Sequence, residues 1–216
     1  MKIASILLTS AVFASVASAA TTQPLNAPAP TAGVKAFLDV LNSGKGKPME
    51  QMTPQEARQG LIGAQRDAKL PAAQVSDKTM QVNGQNIRLK IVKPENATGT
   101  LPVFMFFHGG GWVLGDYPTH ARLIRDLVVG SGAVAVYVDY TPSPEAHYPT
   151  AINQAYAATQ WVAQHGKEIN VDSSRLAVAG NSVGGNMAAV VALKAKEQGT
   201  PKLRFQLLLW PVTDAN

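Results

Sequence analysis

Leu176-Ala177-Val178-Ala179-Gly180-Asn181-Ser182-Val183-Gly184-Gly185 is the stretch that decides the fold. Its apolar start reads as a buried strand, and the residues from Gly184 to Glu197 read as a helix. Between them, Gly180-Asn181-Ser182-Val183-Gly184 fits G-x-S-x-G. Small residues are needed there because the turn is sharp and the serine backbone is strained. Such an elbow lifts a serine oxygen out of the packed layer, at the carboxyl end of a sheet where ligands bind. The helix start behind it favours developing negative charge. The plain alternative is a glycine-rich helix start with a capping serine.

Working outward, Val103–Phe107, Ala133–Val138, Arg175–Ala179 and Leu203–Leu209 read as strands. Helices fall between them near Thr119–Val129, Pro149–His165 and Gly184–Glu197. Continuous apolar strands with intervening helices predict a parallel sheet covered on both faces. Ahead of it, Val75–Val82 and the alternating Ile87, Leu89 and Ile91 predict two more strands. Asn83-Gly84 joins them as a hairpin turn, since both positions need positive φ. Val34, Phe37, Leu38 and Leu41 recur at helical spacing, and Asn42 to Pro48 breaks that helix. Thr53-Pro54-Gln55-Glu56 is a capping box, and the helix it opens is expected to run towards Lys69 and stop before Pro71. Residues 31–70 thus read as a helical segment ahead of a core over 71–216. Residues 20–30, rich in proline, read as a linker.

The 216 residues suit one substantial domain, and 46% apolar against 15% charged residues allow a large core. Cys is 0, which excludes a disulfide framework, a thiolate metal site and a cysteine nucleophile. The net charge of +5 is spread without a Lys/Arg block, which argues against nucleic acid as a partner. Lys2, the uncharged run Ile3 to Val16 and Ala17-Ser18-Ala19 predict a signal peptide over 1–19, cleaved near Ala19/Ala20. The run is shorter than the roughly 18 residues a spanning helix needs. The expected location is the periplasm or outside the cell, with no membrane span after cleavage.

His108-Gly109-Gly110-Gly111-Trp112 directly follows the strand Val103–Phe107. Three glycines let backbone N–H groups approach a ligand oxygen and point at it. A phosphate loop would need a Lys-Ser/Thr pair, which is missing here. His108 reads as a structural loop residue, because a base must reach the serine from the side opposite the oxyanion donors.

Taken together, His108–Trp112 and Gly180–Gly185 are similar to the hormone-sensitive-lipase-like branch of the α/β-hydrolases, the bacterial esterases with an HGGGW loop. The similarity runs from about Val34 to Asp214 and includes Ser131-Gly132-Ala133, Val138-Asp139-Tyr140 and Trp210-Pro211-Val212-Thr213-Asp214. The resemblance implies an α/β-hydrolase fold: a mostly parallel sheet with an antiparallel N-terminal hairpin, helices on both faces, and residues 31–70 as part of a cap over the acyl pocket. It implies hydrolysis of carboxylic esters with Ser182 as nucleophile; the expected substrates are small esters, with no cofactor or metal. It also implies Gly110, Gly111 and Val183 as oxyanion N–H donors, supported by His108 and Gly109. Two departures stand out. Asn181 occupies a position that is usually Asp, and Thr141-Pro142-Ser143-Pro144-Glu145 replaces the family's Arg-Leu-Ala-Pro-Glu.

A serine hydroxyl is a weak nucleophile until a histidine takes its proton and an acid orients that histidine. In this fold the chain order is Ser, then Asp or Glu, then His. No histidine follows Ser182; His108, His120, His147 and His165 all precede it. His120 and His147 fall on the active side of the sheet, and Asp214 is a conceivable displaced acid. The expectation is a fragment or truncated product of a longer esterase, lacking the last strands and nearly inactive as it stands. The alternative is a non-catalytic ligand-binding or interaction protein on a hydrolase scaffold. Amidase or acetyl-sugar deacylase activity is not separated from esterase activity at this level.

Overall fold

The computed structural model describes residues 29–43, 46–82 and 84–214. The proposed signal peptide and Asn83 lie outside them. The described residues up to Gly46 form one compact unit and those from Lys47 a second. In the first, helix α1 (Ala32–Leu41) is capped by Thr31, whose side chain accepts from Val34 N–H. The second opens with helix α2 (Pro54–Ala64), where Thr53 and Glu56 form the capping box with proline at the first turn. This helix ends five residues short of Lys69. Residues 63–67 are all exposed, so a further turn would bury nothing to offset its ordering entropy.

Six strands follow: β1 (Ala73–Val82), β2 (Gln85–Pro94), β3 (Leu101–Phe107), β4 (Val134–Asp139), β5 (Val171–Asn181) and β6 (Phe205–Leu209). They form one mixed sheet in the order β1-β2-β4-β3-β5-β6. The hairpin β1–β2 and the pair β2–β4 are antiparallel, and the remaining pairs are parallel. Period-two alternation in β2 places Ile87, Leu89 and Ile91 in the core. Each such side chain contributes about 1.5–3 kcal/mol of burial. Strand β5 starts at Val171, four residues earlier than the expected Arg175. Val171 and Asp172 pair with Leu101 and Pro102, and the register then shifts so that Val103 faces Leu176.

Helix α3 (Tyr117–Ser131) connects β3 to β4 and covers one face, burying Ile124 and Val128 against Phe104 and Phe106. Helices α4 (Thr150–His165) and α5 (Val183–Glu197) cover the other, with Ala155, Val162, Met187 and Val191 against Met105, Val136 and Val178. Adjacent strands β3 and β5 therefore send their helices to opposite faces. A crevice opens at that point, outside the carboxyl ends of the two strands. Both the glycine loop and the serine elbow emerge there. Among the described residues, no helix is long and apolar enough to cross a membrane.

Candidate active site

Ser182 sits between β5 and α5 with φ 56° and ψ −124°, in the left-handed region that side chains disfavour. Close packing holds it there. A Cβ on Gly180 would overlap Gly184 O, and one on Gly184 would overlap Phe107 O and lie 2.7 Å from His108 O. The segment after β6 closes the other side. Ser182 N–H donates to Leu209 O (2.9 Å) and Val212 N–H donates to Ser182 O (3.1 Å). Asn186, one turn into α5, donates through Nδ2 to Val212 O (2.9 Å).

The glycine loop lies directly against the elbow, since a Cβ on Gly109 would come within 3.1 Å of Ser182 Cβ. Gly110 and Gly111 take φ +117° and +64°, and Gly110 O accepts from Val113 N–H and Leu114 N–H. No described residue accepts from the N–H of Gly110, Gly111 or Val183, the residues expected to be oxyanion donors. Val183 is the first residue of α5, so its N–H is free of intrahelical partners.

His108 is buried under the glycine loop. Its ring stacks on Tyr140 (4.2 Å, 5°), and Nδ1 lies 2.8 Å from Gly109 O. Burial lowers its pKa to about 3, so it is a neutral strut at any pH near 7. Tyr140 Oη donates to His108 O (2.9 Å) and ties β4 to the loop.

Asn181 has a role that its departure from Asp did not reveal. Its Oδ1 accepts from Gly109 N–H (3.1 Å), which leaves Nδ2 facing His120 Nε2 at 3.4 Å. An acceptor at Nε2 puts the His120 proton on Nδ1, which lies 3.2 Å from Asp116 O. The amide thus joins elbow, glycine loop and α3 without any charge. His120 is buried, which lowers its pKa. In Asn181→Asp the carboxylate would accept from Nε2–H instead and favour the imidazolium. NMR titration is expected to show His120 taking up its proton at higher pH than in the parent. An unmoved titration would disprove the link.

An apolar cavity of about 360 Å³ adjoins the loop, lined by Gly111, Trp112, Val113, Ser143, Ile152 and Val190 among others. His147 also lines it. A wider groove of about 630 Å³ lies along Leu203 to Gln206, at the opposite end of β6 from Ser182. Of the other histidines, His165 points Nδ1 at Trp161 O (3.0 Å). No described residue hydrogen-bonds Ser182 Oγ. Arg58 of α2, which donates into both loops beside this cavity, escaped the sequence reading because no local pattern marks it.

A strand–elbow–helix with a glycine loop packed against its serine is the arrangement of a serine hydrolase site. Residues 104–216 match the family model described as alpha/beta hydrolase fold. The chain belongs to that family, in its hormone-sensitive-lipase-like esterase branch. It is 51% identical over 112 residues to esterase LipI of Mycobacterium tuberculosis, covering 52% of this chain and 35% of that one. Carboxylesterase NlhH of the same organism is 41% identical over 148 residues, covering 68% and 46%. A thermostable esterase from Pseudomonas putida superposes with a TM-score of 0.81 at 74% identity, covering 84% of this chain and 58% of that one. The chain spans about half the length of the curated relatives it matches.

Proposed function

We propose that this chain carries the nucleophile and the oxyanion donors of a serine esterase acting on small carboxylic esters. Ser182 Oγ attacks the ester carbonyl carbon, its proton passes to a base, and the carbonyl oxygen becomes an oxyanion. When the carbonyl re-forms, the bond to the alkoxy group breaks, the departing oxygen takes up a proton and leaves as the alcohol, and the acyl group stays on Ser182. The N–H groups of Gly110, Gly111 and Val183 hold the negative charge. The observation that carries the reading is the strained Ser182 packed against a glycine loop with unpaired donors. The relatives named as esterases support it, as does a 73%-identical esterase solved with (S)-Ac-CPA.

The test needs only the first half-reaction. Incubated with p-nitrophenyl acetate, the chain is expected to gain one acetyl group on the peptide containing Ser182, seen by mass spectrometry and absent in Ser182→Ala. Acetylation of lysines alone would defeat the proposal. A non-catalytic binding role on the same scaffold is favoured by one observation: His108, His120 and His165 all hydrogen-bond away from Ser182. Export belongs to the same proposal, on the strength of Ile3–Val16 and Ala17-Ser18-Ala19. N-terminal sequencing of the secreted protein is expected to start near Ala20, and soluble cytoplasmic protein retaining Met1 would contradict it.

A further inference from the structure

One guanidinium joins three separate parts of the site. Arg58, in the middle of α2, donates through Nε to Val113 O (2.7 Å) and through Nη2 to Ser143 O (3.0 Å). Its Nη1 and Nη2 also form a fork on the Glu145 carboxylate, at 2.6 and 2.9 Å. Val113 belongs to the turn whose N–H groups close on Gly110 O, and Ser143 N–H donates to Trp112 O (2.7 Å). Val113 and Ser143 both line the apolar cavity. The glycine loop and the 141–149 loop are thus stitched to each other directly, and both are stitched to α2 through one side chain.

We propose that Arg58 is a positioning residue: by holding Val113 O and Ser143 O together it fixes the cavity wall and the aim of the Gly110 and Gly111 N–H groups. The geometry asks for arginine in particular. Two carbonyls and a carboxylate in three directions need a planar fork with several donors, which the single ammonium of lysine does not supply. The Arg58 side chain is only 23% exposed, so these bonds are sheltered more than those of an ordinary surface pair. The fork holds the Glu145 carboxyl down at about 2, so the ion pair persists into acid where an ordinary glutamate would be protonated. Glu145 in turn lies just past the stretch where this chain departs from its family, Thr141 to Ser143. There Gln154, rather than an arginine at 141, anchors the loop by accepting from Thr141 N–H (2.7 Å).

The inference rests on reading the glycine loop as the oxyanion donor, but its test does not depend on turnover. Hydrogen exchange of the whole chain, followed by mass spectrometry, reads the loops directly. In Arg58→Ala the amides of 110–115 and 141–149 are expected to exchange about tenfold faster, with β3 and α5 unchanged. Arg58→Lys should recover only part of the protection. Glu145→Gln, which leaves the two carbonyl bonds in place, should show a smaller rise confined to the same two loops. Faster exchange in α2 alone, an even rise over the whole sheet, or no change in either loop would overturn the proposal. Acetylation of Ser182 in the parent chain separately tests the esterase reading, so the two failures are distinguishable.

Discussion

Steady-state hydrolysis of p-nitrophenyl acetate by this chain is expected to fall at least about 10²–10⁴-fold below that of the 74%-identical Pseudomonas putida esterase. The reason lies in where the described histidines point. His108 is stacked on Tyr140 and stays neutral, with Nδ1 at Gly109 O. His120 is spent on Asp116 and Asn181, and His165 on Trp161. Because no described residue hydrogen-bonds Ser182 Oγ, acylation is expected to depend on solvent to remove the proton. In serine hydrolases the loss of the triad histidine costs on the order of 10⁶ in kcat. Acetylation and turnover therefore separate: the adduct forms slowly and then persists. Rapid turnover lost in both Ser182→Ala and His147→Ala would reverse this conclusion. It would make the cavity-lining His147 the base.

The largest effect on stability is expected at Gly184. In Gly184→Val the new Cβ meets Phe107 O and His108 O, which are backbone atoms that cannot swing away. Strand β3, the elbow and α5 would all have to separate, at a cost of about 3 kcal/mol or more. Soluble yield should collapse, or the urea midpoint drop sharply. Gly60→Ala supplies the contrast. That helical glycine has nothing near its Cβ direction, so alanine should stabilise α2 by about 0.5–1 kcal/mol. Equal midpoints for Gly184→Val and the parent would mean that the elbow is looser than its packing implies.

Local rules carried much of this molecule. The elbow, the glycine loop and the Thr53 capping box each compress their whole requirement into four to six consecutive residues, so a reader of the chain meets them intact. The apolar strands were legible for the same reason, because burial on both faces writes itself as an unbroken run. What stayed hidden depends on partners far away in sequence. The early start of β5 comes from Leu101 and Pro102 across the sheet. The insertion of β3 between β4 and β5 follows from which face each helix takes, and no single segment records that. Asn181 was visible as a departure, yet its bond to His120 exists only once α3 is folded beside it. Arg58 reaches Ser143 and Glu145 from another part of the chain entirely.

The grip on Ser182 has a thermal consequence. Its backbone is a cocked spring, and the catch is the pair of hydrogen bonds to Leu209 and Val212. That catch is made by the end of β6 and the segment after it; Phe205 of the strand and Trp210 just beyond it are exposed. Such an exposed stretch is expected to open before a buried strand such as β3 lets go. When the catch slips, Ser182 relaxes and the proposed oxyanion donors lose their target, while the sheet still reads as folded. On warming, Ser182 is expected to lose its strained geometry before the protein melts.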